Sequence, residues 1–217
     1  MMLLTGWMRR TALAGATGLA CVLLPMAAHA GAQVEEYLAP SVVAGLARSI
    51  ADNPVPANYA ERPPVNFWVA DMSHRLLPRI ADERERRDFL ATVYYEATRA
   101  GLDPQFVLGV IHLESGFKKY ALSTASARGY MQVMPFWTRQ IGSADHNLFN
   151  LRTNLRYGCV ILRHYLDIEG GDYFRALGRY NGSLGRSEYP TAVLGAAGRY
   201  RVDTTPFLVI PASATPR

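Results

Sequence analysis

Apolar positions along this chain recur three and four residues apart, and the strict alternation that marks a strand is almost absent. A first helix is expected over residues 34–52, weakened by Pro40. Asn53-Pro54-Val55-Pro56 through Pro63-Pro64 reads as a proline-punctuated linker. Phe67 to Ile80 is apolar at helical spacing. The charge run Asp82-Glu83-Arg84-Glu85-Arg86-Arg87 reads as the solvated first turns of a helix ending at Gly101, with Phe89, Val93 and Tyr94 facing inward. Asp103-Pro104 then supplies an N-cap followed by a proline at the first helical position. That helix runs through Phe106, Val107, Val110 and Ile111 to Glu114, and Gly116 stops it. Ser123 to Arg128 is a loop of small residues. A short helix starts near Pro135, and a longer one spans Asn150 to Leu166 before Gly170-Gly171. Asp172 to Tyr180 and Pro190 to Tyr200 complete the set. With no internal repeat, the pattern predicts a mainly α fold.

The ends of the chain change the picture. Arg9 and Arg10 precede a stretch without charge from Thr11 to Met26; Pro25 breaks the run, and Ala28-His29-Ala30 offers small residues around a cleavage point. Residues 1–30 therefore read as a cleavable secretory signal peptide, the alternative being a retained membrane anchor. Met8 and Ala12 fit a twin-arginine route poorly, and Gly18 sits where a lipobox before Cys21 would need a bulky aliphatic. Behind the signal, the expected organisation is an N-terminal helical extension with the proline-rich linker over 31–65, a single domain over 66–203, and a tail over 204–217.

Composition sets further bounds. The 217 residues carry a formal net charge of +5 and 49% hydrophobic side chains, which suits one globular domain of ordinary size and excludes a disordered or polytopic membrane protein. Charge is uneven: residues 31–100 hold 10 acidic and 8 basic residues, whereas residues 101–217 hold 8 acidic and 13 basic. The basic half suits an acidic polymer, yet no nucleic-acid motif is present. After signal removal a single cysteine, Cys159, is left, so an intramolecular disulfide is impossible; its apolar setting reads as a buried structural thiol.

One carboxylate falls on an apolar face. Helical spacing aligns Glu114 with Ile111, Val110 and Val107. Desolvation there disfavours the charged form and raises the pKa, and a carboxyl kept protonated near neutral pH can donate a proton to a leaving group. A structural carboxylate paired with an arginine or bonded to backbone fits the spacing equally well.

Three short motifs bear on that choice: Glu114-Ser115-Gly116; then Gly129-Tyr130-Met131-Gln132-Val133-Met134-Pro135; then Ala176-Leu177-Gly178-Arg179-Tyr180-Asn181-Gly182. Together they resemble the signature of the lytic transglycosylases of the soluble-lytic-murein (SLT) type, glycoside hydrolase family 23: Glu-Ser, Gly-Leu-Met-Gln-x-x-Pro, then Ala-Tyr-Asn. Order and spacing agree over roughly Leu102 to Tyr200. Tyr130 departs from the usual leucine, Ser126 from a frequent glycine, and Arg179 to Ser183 from Ala-Tyr-Asn-Ala-Gly. These departures touch substrate preference and rate, not the class of reaction.

The resemblance implies a lysozyme-like single domain and an enzyme that cleaves the β-1,4 bond between N-acetylmuramic acid and N-acetylglucosamine, leaving a 1,6-anhydromuramyl end. Glu114 would be the sole general acid and base, so the second carboxylate of ordinary glycosidases is not required. Ser115 resembles a residue that orients the acid or contacts the sugar, and it equally suits a helix-end hydroxyl bonding a free carbonyl. Tyr130, Met131 and Gln132 fall in the substrate-groove motif, although Met131 by itself would be read as core. Tyr180 resembles a tyrosine near the catalytic carboxyl, and Asn181 either touches sugar or caps the turn into Gly182.

Other residues are set aside. His112 lies on the opposite side of its helix from the apolar centre, and His146 and His164 lack ligand-spaced partners, so no metal and no cofactor is expected. Phe136 and Trp137 read as core ahead of a sugar-groove lining, and Glu188 as a solvated loop charge ahead of a second groove carboxylate. The expected partner is the glycan strand of peptidoglycan, without nucleic acid and without stable membrane insertion after signal cleavage, in a periplasmic monomer; the size is compatible with a secretion or cell-wall assembly partner. A hydrolytic muramidase and a non-catalytic murein-binding protein on the same scaffold are the alternatives. Residues 31–65 either pack as an extra helix or engage a partner.

Overall fold

The computed structural model describes residues 33–51 and 55–202; the signal segment and the tail lie outside the described residues. Eight helices are present among them: α1 (Pro40–Ile50), α2 (Pro63–Leu76), α3 (Glu83–Arg99), α4 (Pro104–Glu114), α5 (Phe136–Ile141), α6 (Leu151–Ile168), α7 (Tyr173–Asn181) and α8 (Glu188–Gly198). A short 3-10 turn spans Tyr59–Glu61. The β pairing found among the described residues is two isolated bridges, Leu122 to Arg128 and Arg128 to Val133. The mainly α class expected from the pattern is the one observed. No helix among the described residues is long and apolar enough to cross a membrane.

Helix starts follow their capping chemistry. Asp82, Asp103, Asn150 and Asp172 each accept a backbone N–H from the first turn of the helix they precede, which removes one of the donors a helix start leaves unsatisfied. Two expected boundaries move. The first helix begins at Pro40 and not at residue 34, and Pro63-Pro64 open α2 and do not end a linker. In both places proline serves as a first-turn residue, where its fixed φ and missing N–H cost nothing.

The charge run that opens α3 is not wholly solvated. Arg86 is buried, and its guanidinium donates to Ser73 Oγ at 2.7 Å, to the Ile80 carbonyl at 2.7 Å and to the Ala81 carbonyl at 2.9 Å. It satisfies the carbonyls at the turn between α2 and α3 that no helix could reach. A second buried charge centre joins α3 to α6. Glu96 accepts from Arg156 Nη2 at 2.8 Å and Nε at 3.2 Å, with Arg99 at 3.3 Å and Arg152 at 3.7 Å. Arg99 and Arg156 also donate to the carbonyls of Ser49 and Ala51. The end of α1 is thereby tied to the domain, and α1 packs on α5 and α6 as an extra helix.

The pairing that matters most for the site is α4 against α8. A Cβ placed on Gly109 of α4 would lie 2.8 Å from the backbone nitrogen and the Cβ of Ala197 of α8, closer than atoms can approach without movement. Glycine is required there so that the two backbones can touch. Gly109→Ala is expected to cost about 1–3 kcal/mol through this overpacking, read as a lower urea midpoint at unchanged slope.

Candidate active site

Glu114 is the last residue of α4, and the chain leaves the helix through Ser115 and Gly116, whose φ of +57° suits a residue without a side chain. The glutamate is 8% exposed among the apolar residues of α4. Burial pushes its carboxyl up to about 8, and a hydrogen bond from Tyr189 acts against that rise. Tyr189 lies in the first turn of α8 and donates its hydroxyl to Glu114 Oε1 at 2.5 Å. No other carboxylate contributes to the shift of Glu114. The arrangement is a largely protonated acid near neutral pH, holding one neutral donor that favours its ionised form.

The remaining candidates divide. Tyr180 of α7 is buried and lies within the electrostatic reach of Glu114. Its hydroxyl, however, donates to the Met131 carbonyl at 2.7 Å. The tyrosine bonded to the acid is therefore Tyr189, and Tyr180 pins the loop that carries Met131. Ser115 donates its hydroxyl to the Ile111 carbonyl at 3.2 Å, the helix-end role. Met131 is fully buried, with its side chain close against Gly158 of α6. Asn181 is the last residue of α7 and does not form the turn; Gly182, with φ +71°, makes it.

Gln132 adopts φ +48°, a left-handed backbone that few side chains other than glycine accept. Its Nε2 donates to the carbonyls of Gly129 at 3.0 Å and Ala121 at 3.1 Å, leaving the amide oxygen as its remaining hydrogen-bonding atom. Strain of this kind, held by surrounding bonds, is common at functional sites. Ser126, where the related motif often has glycine, has φ +71°. Tyr130 does not join Glu114: it packs on Phe89 of α3, ring centroids 4.9 Å apart.

One residue absent from the sequence reading holds this loop. Asn154 of α6 is fully buried; its Oδ1 accepts from Met131 N at 2.8 Å, and its Nδ2 donates to the Arg128 and Leu148 carbonyls, each at 2.8 Å. Gly129 leaves the space that this amide fills.

His112 shares a 2.7 Å hydrogen bond with the Tyr200 hydroxyl and packs on Phe117, an interface away from the acid. His146 bonds Tyr157. Trp137 and Phe136 are core, and the Trp137 indole donates to Gln33 of the N-terminal segment at 2.9 Å. Glu188 is exposed at the start of α8. Burial raises the Cys159 thiol well above its usual range, as for an inert structural cysteine. No group of His, Cys, Asp and Glu suited to a metal ion occurs among the described residues.

Residues 92–193 match the family described as Transglycosylase SLT domain. Similar curated proteins include the membrane-bound lytic murein transglycosylase C of Actinobacillus pleuropneumoniae, 43% identical over 53 residues, which are 24% of this chain and 14% of that protein. Those of Haemophilus influenzae (41% over 61 residues, 27% of this chain and 17% of that one) and Mannheimia succiniciproducens (36% over 66 residues, 30% and 17%) are similar in the same way. The chain thus spans less than one-fifth of the length of these relatives. Among solved structures, an inactive mutant of the lytic transglycosylase Slt from Pseudomonas aeruginosa aligns over 51% of this chain and 23% of its own, at 24% identity and a TM-score of 0.46. The segment that buries Glu114 and brings Tyr189 to it is thus the part of the chain that matches the transglycosylase SLT domain.

Proposed function

We propose that this chain is a peptidoglycan lytic transglycosylase in which Glu114 serves as both general acid and general base. The observation that carries this reading is a buried carboxyl, raised to about 8, whose hydrogen bond comes from a tyrosine and whose shift owes nothing to a second carboxylate. A hydrolase of the two-carboxylate kind needs a base to activate water; a single buried carboxyl suits a reaction in which the substrate supplies its own nucleophile.

The protonated Glu114 donates to the glycosidic oxygen, and the bond from that oxygen to the muramyl C1 breaks. The sugar's 2-acetamido group stabilises the positive charge that develops at C1. Glu114, now a carboxylate held by Tyr189, takes the proton of the C6 hydroxyl, and the C6 oxygen bonds to C1. The carboxyl ends as it began, one glycosidic bond has been exchanged for the 1,6-anhydro bond, and no water is consumed. Gln132 would border the sugar through its amide oxygen, whereas Met131, expected in the groove, is fully buried against Gly158 and would back the groove from the core. Ser115, Tyr180 and Asn181 support the walls around the acid, on the lysozyme-like frame that the SLT family implies. The names of the relatives and the expected signal segment both support a place outside the cytoplasm, in the periplasm, with glycan strands as the partner.

Four measurements test the reading. Soluble products of the protein acting on purified sacculi should carry anhydro ends, each lighter by one water than its hydrolysed counterpart in a mass spectrum; reducing ends in their place would make the enzyme a muramidase. Glu114→Gln should lower turnover by about a hundred- to ten-thousand-fold while folding normally. Because the wild-type folded state holds a proton between the ordinary carboxyl value of 4.5 and about 8 that the unfolded chain releases, wild-type stability should fall as pH rises through that window. The glutamine variant should lack this loss and melt higher at pH 8. Finally, Tyr189→Phe removes a bond that favours the carboxylate, so the pH at which activity falls should move upward. Turnover should drop about tenfold, the worth of a hydrogen bond to a charged group; an unmoved pH profile would sever Tyr189 from the chemistry.

A further inference from the structure

Residues 33–39 lead into α1, and all but the first of them are at least partly exposed, Val34 at 62% and Tyr37 at 92%. Gln33 is 4% exposed. Its Oε1 accepts from the Trp137 indole at 2.9 Å. It reaches Tyr180 of α7 as well, where a side-chain hydrogen bond from Gln33 works against the burial that raises the phenol well above its usual range. A bond that favours the phenolate is one donated to the phenol oxygen, so the Gln33 amide nitrogen is the donor. The other ties of this segment are slighter. Gln140 donates to the Glu36 carbonyl at 3.0 Å, and the exposed pair Arg139 and Glu35, 4.0 Å apart, contributes little. An amide is costly to bury, and for anchoring alone an apolar side chain would suit this core better. What the amide adds is an acceptor and a donor on one side chain, enough to join an indole N–H to a phenol oxygen.

The bonds continue toward the site. The Tyr180 hydroxyl, accepting from Gln33, donates its own proton to the Met131 carbonyl at 2.7 Å. Asn154 holds the Met131 N–H at 2.8 Å. The Met131 carbonyl belongs to the peptide plane from which Gln132 turns, and Gln132 sits at φ +48°, a conformation that persists only where neighbouring bonds hold it. We propose that Gln33 is a positioning residue of the active site: set between Trp137 and Tyr180, it directs the Tyr180 hydroxyl onto Met131 and so fixes the peptide plane that aims Gln132 at the glycan. The groove wall is then completed by a segment far outside residues 92–193, the part that matches the SLT domain. The inference rests on the transglycosylase reading above, in which Gln132 borders the sugar.

Steady-state cleavage of soluble, uncrosslinked glycan strands by the full chain supplies the test. In Gln33→Leu, KM should rise about fivefold, the net worth of one hydrogen bond, with kcat within about twofold of the wild-type value. A wild-type KM, or a loss confined to kcat, overturns the inference. Tyr180→Phe keeps the ring and removes the hydroxyl through which Gln33 acts, so adding Gln33→Leu to it should raise KM no further. Full additivity of the two changes places the action of Gln33 elsewhere and overturns the inference as well. Stability is separated from positioning by Trp137. Gln33→Leu leaves the indole N–H without its acceptor, so thermal unfolding by circular dichroism should come earlier. Adding Trp137→Phe removes the orphaned donor, and the melting temperature should recover while KM stays raised. A KM that recovers together with the melting temperature reduces Gln33 to a packing partner of Trp137. If the wild-type protein cleaves the strands and Gln33→Leu matches it, the positioning role alone fails. If the wild-type protein cleaves neither strands nor sacculi, the transglycosylase reading fails and this inference with it.

Discussion

The contact between α4 and α8 is the constraint on which the site depends. Glu114 ends one of these helices and Tyr189 begins the other, 75 residues later, and their hydrogen bond exists because the backbones approach at Gly109 and Ala197. The same approach removes Glu114 from water. Desolvation and the one compensating hydrogen bond therefore have a single geometric origin, and neither could be retuned without moving the other. A larger residue at Gly109 would open the helix pair, hydrate the carboxyl and lengthen the bond to Tyr189 together.

A second set of contacts holds the facing loop. Asn154 satisfies the Met131 N–H and the Arg128 carbonyl of a segment that has almost no regular secondary structure of its own, and the Leu148 carbonyl of the turn before α6. Gly129 and Gly158 keep space for the Asn154 amide and the Met131 side chain. Tyr180 adds a bond to the Met131 carbonyl. Buried backbone polar groups are costly when unpaired, so an irregular loop can sit against a core only where side chains from neighbouring helices take over this work. The left-handed Gln132 is the consequence: a strained residue whose conformation is fixed from several sides.

Much of this was legible in the sequence, and the gaps have physical causes. The capped helices and the burial of Glu114 follow from local spacing, which is all a periodicity argument needs. Tyr189 leaves little local signal of its importance, which is a contact across 75 residues, and the charge of its neighbour Glu188 is the more visible feature. A tyrosine in the first turn of a small-residue helix was the available signal. Asn154 left a clearer trace, a polar amide on a face of α6 otherwise built from Tyr157, Ile161 and Tyr165. Arg86 was hidden inside a run of charges whose average is solvated, although one member of the run pays for its burial with three hydrogen bonds. The helix starts at Pro40 and Pro63 were misplaced by treating proline as a breaker where it serves as an opener.

A catalyst with one carboxyl faces a conflict that a pair of carboxyls avoids. The group must begin protonated, which burial favours, and must then exist as a carboxylate long enough to take a second proton, which burial opposes. With a partner carboxylate the two roles would be divided between groups of different pKa. In the mechanism proposed above, where Glu114 acts alone, the compromise falls to Tyr189: a neutral donor lowers the cost of the ionised form without adding charge that would drain the acid beforehand. A lysine or arginine in its place would favour the carboxylate too strongly and leave the resting enzyme deprotonated. A phenol whose own ionisation is pushed well above its usual range by burial and by Glu114 stays a donor throughout. The net value of about 8 is what is left after burial and Tyr189 have opposed each other, and it keeps both forms of one carboxyl within reach of neutral pH.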